Sequence, residues 1–198
     1  LERHSLPLRL SPVEAAQTIA RHLGVSTTPI VVSDACISGV AAQVTALRLI
    51  DSGEYDHAIV CGADCQCRFI VSGFQSLKAV SPEPCRPFDI ERLGLNLGEA
   101  AATIVFGRSD DSVDSWHIIS GAIRNDAFHI SSPSPKGIGS LMALQAVAHT
   151  GQKLATVSVH GTATMYNDQM ESKAISQAGL SDVPITALKG YFGHTMGA

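Results

Sequence analysis

Val31-Val32-Ser33-Asp34-Ala35-Cys36-Ile37-Ser38-Gly39-Val40 is the stretch on which the reading of this chain turns. Pro29 to Val32 is a short apolar run that reads as a buried strand. It stops at a polar turn, and Cys36 follows at once. A helical pattern then begins, with Ile37, Val40, Ala41, Val44, Leu47 and Ile50 on one stripe and Gln43, Arg48 and Asp51 off it. Gly53 ends the pattern as a helix terminator. Cys36 is thereby expected at the mouth of a helix, where free N–H groups and the helix dipole favour negative charge. That environment predicts a lowered thiol pKa and a nucleophilic sulfur. Gly39 costs helix stability there and is expected to leave open space beside the sulfur.

Working outward, residues 1–10 read as a loop, and Ser11-Pro12-Val13-Glu14 is a capping box that starts a helix through Ala16, Ile19, Ala20 and Leu23 to Gly24. His57 to Ala63 and Ala100 to Phe106 read as buried strands, the latter apolar enough for a sheet covered on both faces. Between them the text is irregular, with a short helical piece near Phe74 and Leu77. Beyond a polar stretch come a strand at Trp116 to Ile123, a helix at Ile138 to Ala148 and a strand at Leu154 to Val159. A helix at Asp168 to Gln177, closed by Gly179, and a strand at Pro184 to Leu188 follow. The alternation predicts an α/β fold with mainly parallel sheets. The similar element order of the two blocks points to a duplicated architecture: residues 1–107, a linker at 108–115, and residues 116–198.

Composition narrows the function classes. The chain has 198 residues, 45% of them hydrophobic, and a net charge of −4, which suits a globular protein and argues against disorder and nucleic-acid binding. No apolar run has the length of a membrane span, and Leu1-Glu2-Arg3-His4 does not open a signal peptide. Five cysteines, an odd number, do not read as a disulfide framework, so a cytoplasmic setting is expected. Cys61, Cys65 and Cys67 fit no standard zinc spacing, and no metal is assigned. A start without Met and a stop at Gly197-Ala198, inside a turn, lead to the expectation of a partial chain.

Four stretches carry the chemistry: Asp34 to Gly39, Arg86 to Ala100, Val159 to Glu171, and Lys189 to Ala198. In the last two, His160 and His194 sit just past a buried strand, the edge where open α/β sheets place their sites. Singly, these residues have plainer readings. Cys36 could be a small buried hydrophobe, either histidine a satisfied core group, Lys189 a surface lysine and Asp168 an acidic residue in a first helical turn.

Together the stretches resemble one family. The chain is similar to the β-ketoacyl-acyl-carrier-protein synthases, the condensing enzymes of fatty-acid and polyketide synthesis, which have the thiolase fold. Ala35-Cys36-Ile37-Ser38-Gly39 resembles the family's nucleophile turn. His160 to Thr164, followed by Asp168 and Glu171, resembles its His-Gly-Thr-x-Thr element, and Lys189 to Ala198 its Lys-x-x-x-Gly-His-x-x-Gly-Ala element. The similarity runs from about residue 12 to the end. Leu93 stands where many members carry Asp, and Ala100 where they carry Gly.

The resemblance implies a thiolase-like fold incomplete at both ends, because the family chain is roughly twice as long. It implies acyl transfer to Cys36, then decarboxylative Claisen condensation with malonyl-acyl carrier protein. His160 and His194 would donate N–H bonds to the thioester oxyanion. Lys189 would lie near His160 and pair with Glu171. Thr162 and Thr164 would bind the phosphopantetheine arm, with Ser131 beside it and Asp168 and His129 in support. No permanent cofactor is implied; the substrates arrive on acyl carrier protein. A homodimer, or a heterodimer with a related subunit, is implied as well. The rivals are a non-catalytic partner subunit, which Cys36 disfavours, and another thiolase-superfamily acyltransferase; His194 disfavours the Cys-His-Asn type.

Overall fold

A computed structural model of the chain describes residues 11–110, 114–129, 132–148 and 153–198. The loop expected at residues 1–10, the centre of the expected linker (111–113) and Ser131 lie outside the described residues.

The first half builds the cysteine turn. Helix α1, Pro12–His22, begins at Ser11, but the Ser11 side chain makes no capping bond, so the capping box does not close. Its C-terminus is closed by Gly24, in the left-handed region at φ 70°, with Val25 N–H bonded to the Ala20 carbonyl. The expected strand at Pro29 to Val32 pairs with no neighbour among the described residues. Helix α2 spans Ser38–Asp51 and buries Ala41, Val44, Ala46 and Ile50. Val40, expected on the buried stripe, is 59% exposed, because the covered face is rotated toward Ala46.

Strand β1, His57–Asp64, leads through α3, Arg68–Ser76, and a long irregular segment to β2, Ala100–Gly107. β1 and β2 pair antiparallel over eight residues, from His57 opposite Gly107 to Asp64 opposite Ala100. The return between them is not a simple helical crossover, so the alternation rule for parallel pairing does not apply here. Alternate residues of β1 are half-buried, and α2 packs on this ladder. The expectation that β2 is covered on both faces fails: Val105 is 66% and Ile104 42% exposed, since no second layer lies over it among the described residues.

The second half sets out the histidine turns. Residues 116–123 form no ladder, and Trp116 is fully exposed. A strand exists through its pairing, and this segment has no partner among the described residues. Helices α4, Ile138–Val147, and α5, Met165–Gln177, pack on one another. Strands β3, Val157–Ser158, and β4, Ile185–Thr186, form a parallel pair, and α6 is a single turn, Lys189–Phe192. Each expected strand is thus present only where it meets its partner. The two halves touch where Gly121 lies against Val44 of α2; a Cβ on that glycine would come within 2.6 Å of the valine side chain.

Candidate active site

The cysteine turn is locally built. Ala35 is held in the left-handed region at φ 47°, a conformation that costs energy for any residue with a Cβ. Ser38 Oγ donates to the Ala35 carbonyl at 2.7 Å and accepts from the Asp34 N–H at 2.8 Å, closing the turn with one side chain. Ile37, not Cys36, is the helix N-cap. Burial raises the Cys36 thiol above its ordinary value, against the lowering pull of the Lys189 charge and of its own backbone N–H. The lowered thiol expected at a helix mouth is therefore corrected: the sulfur is half-buried, and desolvation outweighs the Lys189 charge and the backbone N–H. Gly39 does not leave open space. A Cβ there would lie 2.7 Å from the Gly197 carbonyl, so the glycine lets the chain around Gly197 pack against the cysteine helix.

The histidine turns are held by longer-range bonds. His194 is 2% exposed. Its N–H donates to the Asn96 carbonyl at 2.7 Å, and its carbonyl accepts from the Gly98 N–H at 2.9 Å. Its Nδ1 accepts from the Met196 N–H at 3.0 Å, which leaves the ring proton on Nε2. Beyond it, the Gly197 N–H donates to Asp64 Oδ2 at the end of β1. His160 follows β3. Glu171 of α5 accepts from its N–H at 2.6 Å and from the Gly161 N–H at 2.9 Å. Lys189 Nζ donates to the His160 carbonyl at 2.7 Å and stands 3.4 Å from Nδ1 of the same residue. Lys189 and Glu171 thus meet across the His160 peptide. Their charges also interact: Lys189 favours the ionised Glu171 and Glu171 the protonated Lys189.

The side chains of Cys36, His160 and His194 converge. The Cys36 sulfur and one ring nitrogen from each histidine lie within 4.8 Å of one another, and the two imidazoles meet edge to face at 5.5 Å between centroids. Burial first, and the Lys189 charge second, push His160 down to about 3 and His194 down to about 4, so both rings are neutral near pH 7. The same spacing could suit a metal ion, but the tautomers oppose it. Nδ1 of His194 accepts a backbone N–H and Nδ1 of His160 stands 3.4 Å from the Lys189 ammonium, which assigns the ring proton of each to Nε2. A metal needs a lone pair at that atom; an anionic oxygen needs the proton.

Asp168, 1% exposed, is a buried clamp. It accepts from the Phe88 and Ala163 N–H groups at 2.8 and 3.1 Å and pairs with Arg92 at 3.3 Å. Burial pushes its carboxyl up against the pull of those amides and of Arg92. Thr162 is 2% exposed, and its hydroxyl bonds to those of Thr164 (2.8 Å) and to the Asn167 amide (3.3 Å). The exposed His129 stands in the 126–129 segment, whose Asp126 carboxylate caps Ser134 and Gly139. Sequence reasoning missed Asn96 and Asp64. Both lay in plain view, one inside the Arg86 to Ala100 stretch and one as the polar end of an apolar strand, but their partners are distant in the chain.

The N-terminal domain model of the beta-ketoacyl synthases matches residues 3–112, and the C-terminal domain model matches residues 117–198. The chain belongs to the beta-ketoacyl synthase family. It is 29% identical to 3-oxoacyl-acyl-carrier-protein synthase 2 of Vibrio cholerae, over 97% of this chain and 53% of that protein. It is 32% identical to the synthase of the same name from Rhizobium meliloti, over 98% and 50%. The chain thus spans about half the length of the curated relatives it matches. Among solved structures, it is similar to a ketosynthase in complex with its chain length factor from Xenorhabdus doucetiae. The TM-score is 0.83 at 34% identity, covering 95% of this chain and 47% of that one. The ishigamide ketosynthase/chain length factor gives the same TM-score at 29% identity, covering 95% and 49%. The fold is the thiolase-like α/β fold of these beta-ketoacyl synthases. Among the described residues, no helix is long and apolar enough to cross a membrane.

Proposed function

We propose that the protein containing this chain is a β-ketoacyl-acyl-carrier-protein synthase, with Cys36 as the acyl-carrying nucleophile and His160 and His194 as paired oxyanion donors. The observation that carries this reading is the convergence of one thiol and two neutral imidazoles whose tautomers present Nε2–H. The first half-reaction exchanges thioesters: the Cys36 sulfur bonds the acyl carbonyl, the carrier thiol leaves, and the Cys36 proton goes to it. The second cleaves the carboxylate of malonyl-carrier protein as carbon dioxide and leaves an enolate, whose oxygen the two Nε2–H groups stabilise. The enolate carbon then bonds the acyl carbonyl, and the Cys36 thiolate departs and takes up a proton.

Lys189 and Glu171 hold the His160 peptide from both sides. Lys189 also keeps a positive charge near the sulfur, which favours the departing thiolate. Thr162 and Thr164 are assigned to the phosphopantetheine arm with Ser131, the buried Thr162 acting through its hydroxyl bond to the half-buried Thr164. Asp168 acts as a structural support, and His129 is assigned to the same entrance. The division at residues 108–115 into two thiolase-like halves is part of this proposal. So are a cytoplasmic setting, the absence of a permanent cofactor and a dimeric assembly. Relatives that are ketosynthases paired with a chain length factor, and one caught with its acyl-carrier protein, favour a related subunit and a carrier protein as the partners. A non-catalytic partner subunit would have no use for the sulfur.

The test uses the full-length protein and an acyl-carrier protein substrate. Mass spectrometry should find one acyl adduct, on the peptide bearing Cys36, and none after Cys36→Ala. An adduct that survives that substitution, or none in the wild type, contradicts the reading.

A further inference from the structure

His194 is fixed through its own backbone, and the stretch that fixes it is held in turn by the side chains of Asn96 and Gln66. The His194 N–H and carbonyl bond to Asn96 and Gly98, so the histidine lies against residues 96–98 like one rung of a parallel ladder. The approach has no slack. A Cβ on Gly98 would collide with the Phe192 carbonyl, and one on Gly193 would come within 2.9 Å of the Gly98 nitrogen. The position of His194 is therefore the position of residues 96–98.

Asn96 supplies three of the side-chain bonds that hold that position. Its Oδ1 accepts from the Cys85 N–H at 2.7 Å, and its Nδ2 donates to the Ser81 and Glu83 carbonyls at 3.2 and 3.0 Å. The amide thus satisfies three main-chain groups of the 81–85 turn, while its own main-chain carbonyl holds His194. The same turn is tied in again by Ser81 N–H to the Leu95 carbonyl at 2.8 Å. We propose that Asn96 is a positioning residue for the Nε2–H of His194, acting through the peptide that joins them. His160 hangs on a separate set of bonds, from Glu171 and Lys189, and Cys36 on a third, from Ser38. Loosening Asn96 therefore acts first on His194, whose backbone it holds directly. A shift of the order of 1 Å at an oxyanion donor is enough to cost a large factor in rate.

The inference rests on the reading of His194 as a donor in decarboxylation. The test measures two half-reactions of the full-length protein: acyl loading of Cys36, and carbon dioxide release from malonyl-carrier protein. Asn96→Leu, which keeps the volume and removes the three bonds, should lower carbon dioxide release about tenfold or more and leave acyl loading within about twofold of wild type. Asn96→Asp keeps the acceptor for Cys85 and sets an acceptor oxygen against the Ser81 and Glu83 carbonyls; it should show the same split, and it decides the matter if the leucine variant does not fold. Equal loss of both half-reactions would make Asn96 a structural residue only, and no loss in either would overturn the inference outright. His194→Ala is the reference. If it retains decarboxylation, the reading of the site fails; if it loses decarboxylation while both Asn96 variants match wild type, only this inference fails.

Discussion

The cysteine turn and the histidine turns experience the same burial with opposite results. At Cys36, desolvation raises the thiol and keeps its proton on. At His160 and His194, desolvation lowers the rings to about 3 and about 4 and keeps the extra proton off. Each group is held in its uncharged form. For an oxyanion donor that is the working form. For a nucleophile it is the resting form, and the sulfur must release its proton during the reaction. The two regions also differ in how they are held. One serine closes the cysteine turn within five residues. The histidine turns depend on groups far away in sequence: Glu171, Lys189, Asn96 and Asp64.

That contrast can be broken at several points. The largest effect is expected at Asp168→Ala. It strips the carboxylate from Arg92 and from the amides of Phe88 and Ala163, and should cost about 3–5 kcal/mol of stability, read from denaturant unfolding. A cost near zero would mean that the clamp does not hold the His160 turn. Next, His194→Ala should lower carbon dioxide release from malonyl-carrier protein by about 10²–10³-fold while Cys36 still accepts an acyl group. Third, the two half-reactions should respond differently to pH. With the thiol raised and the rings lowered, loading of Cys36 should rise about tenfold per pH unit between about pH 6 and 8, while decarboxylation stays flat. A decarboxylation limb falling below about pH 6.5 would mean that the rings are not held neutral. Smallest, Ser38→Ala should cost about 1 kcal/mol and change the rate at which iodoacetamide labels Cys36, with little effect on the histidines.

What could be read from the sequence follows this division. Cys36, His160 and His194 stood out as a set, through the order of their motifs and the family those motifs resemble, while each alone had a plainer reading. Helices α1, α2 and α5 were legible from period and terminators, although α5 begins three residues earlier than its pattern, at Met165. The direction of the Cys36 shift was not legible, since it comes from burial by residues remote in sequence. Asn96 and Asp64 were not legible for the same reason. The Asp64–Gly197 bond closes a span of 133 residues. The short extent of β3 and β4 and the unpaired 116–123 segment follow from pairing, which apolar composition does not encode. The antiparallel β1–β2 ladder escaped because a strand–helix–strand order implies parallel pairing only across a simple crossover.

The central claim is that the sulfur and the imidazoles perform separate half-reactions on one site. Carbon dioxide release from malonyl-carrier protein, measured side by side in full-length Cys36→Ala and His194→Ala, tests it most directly. Release should persist in the first variant and be lost in the second. Release that depends on Cys36 and survives without His194 would contradict it.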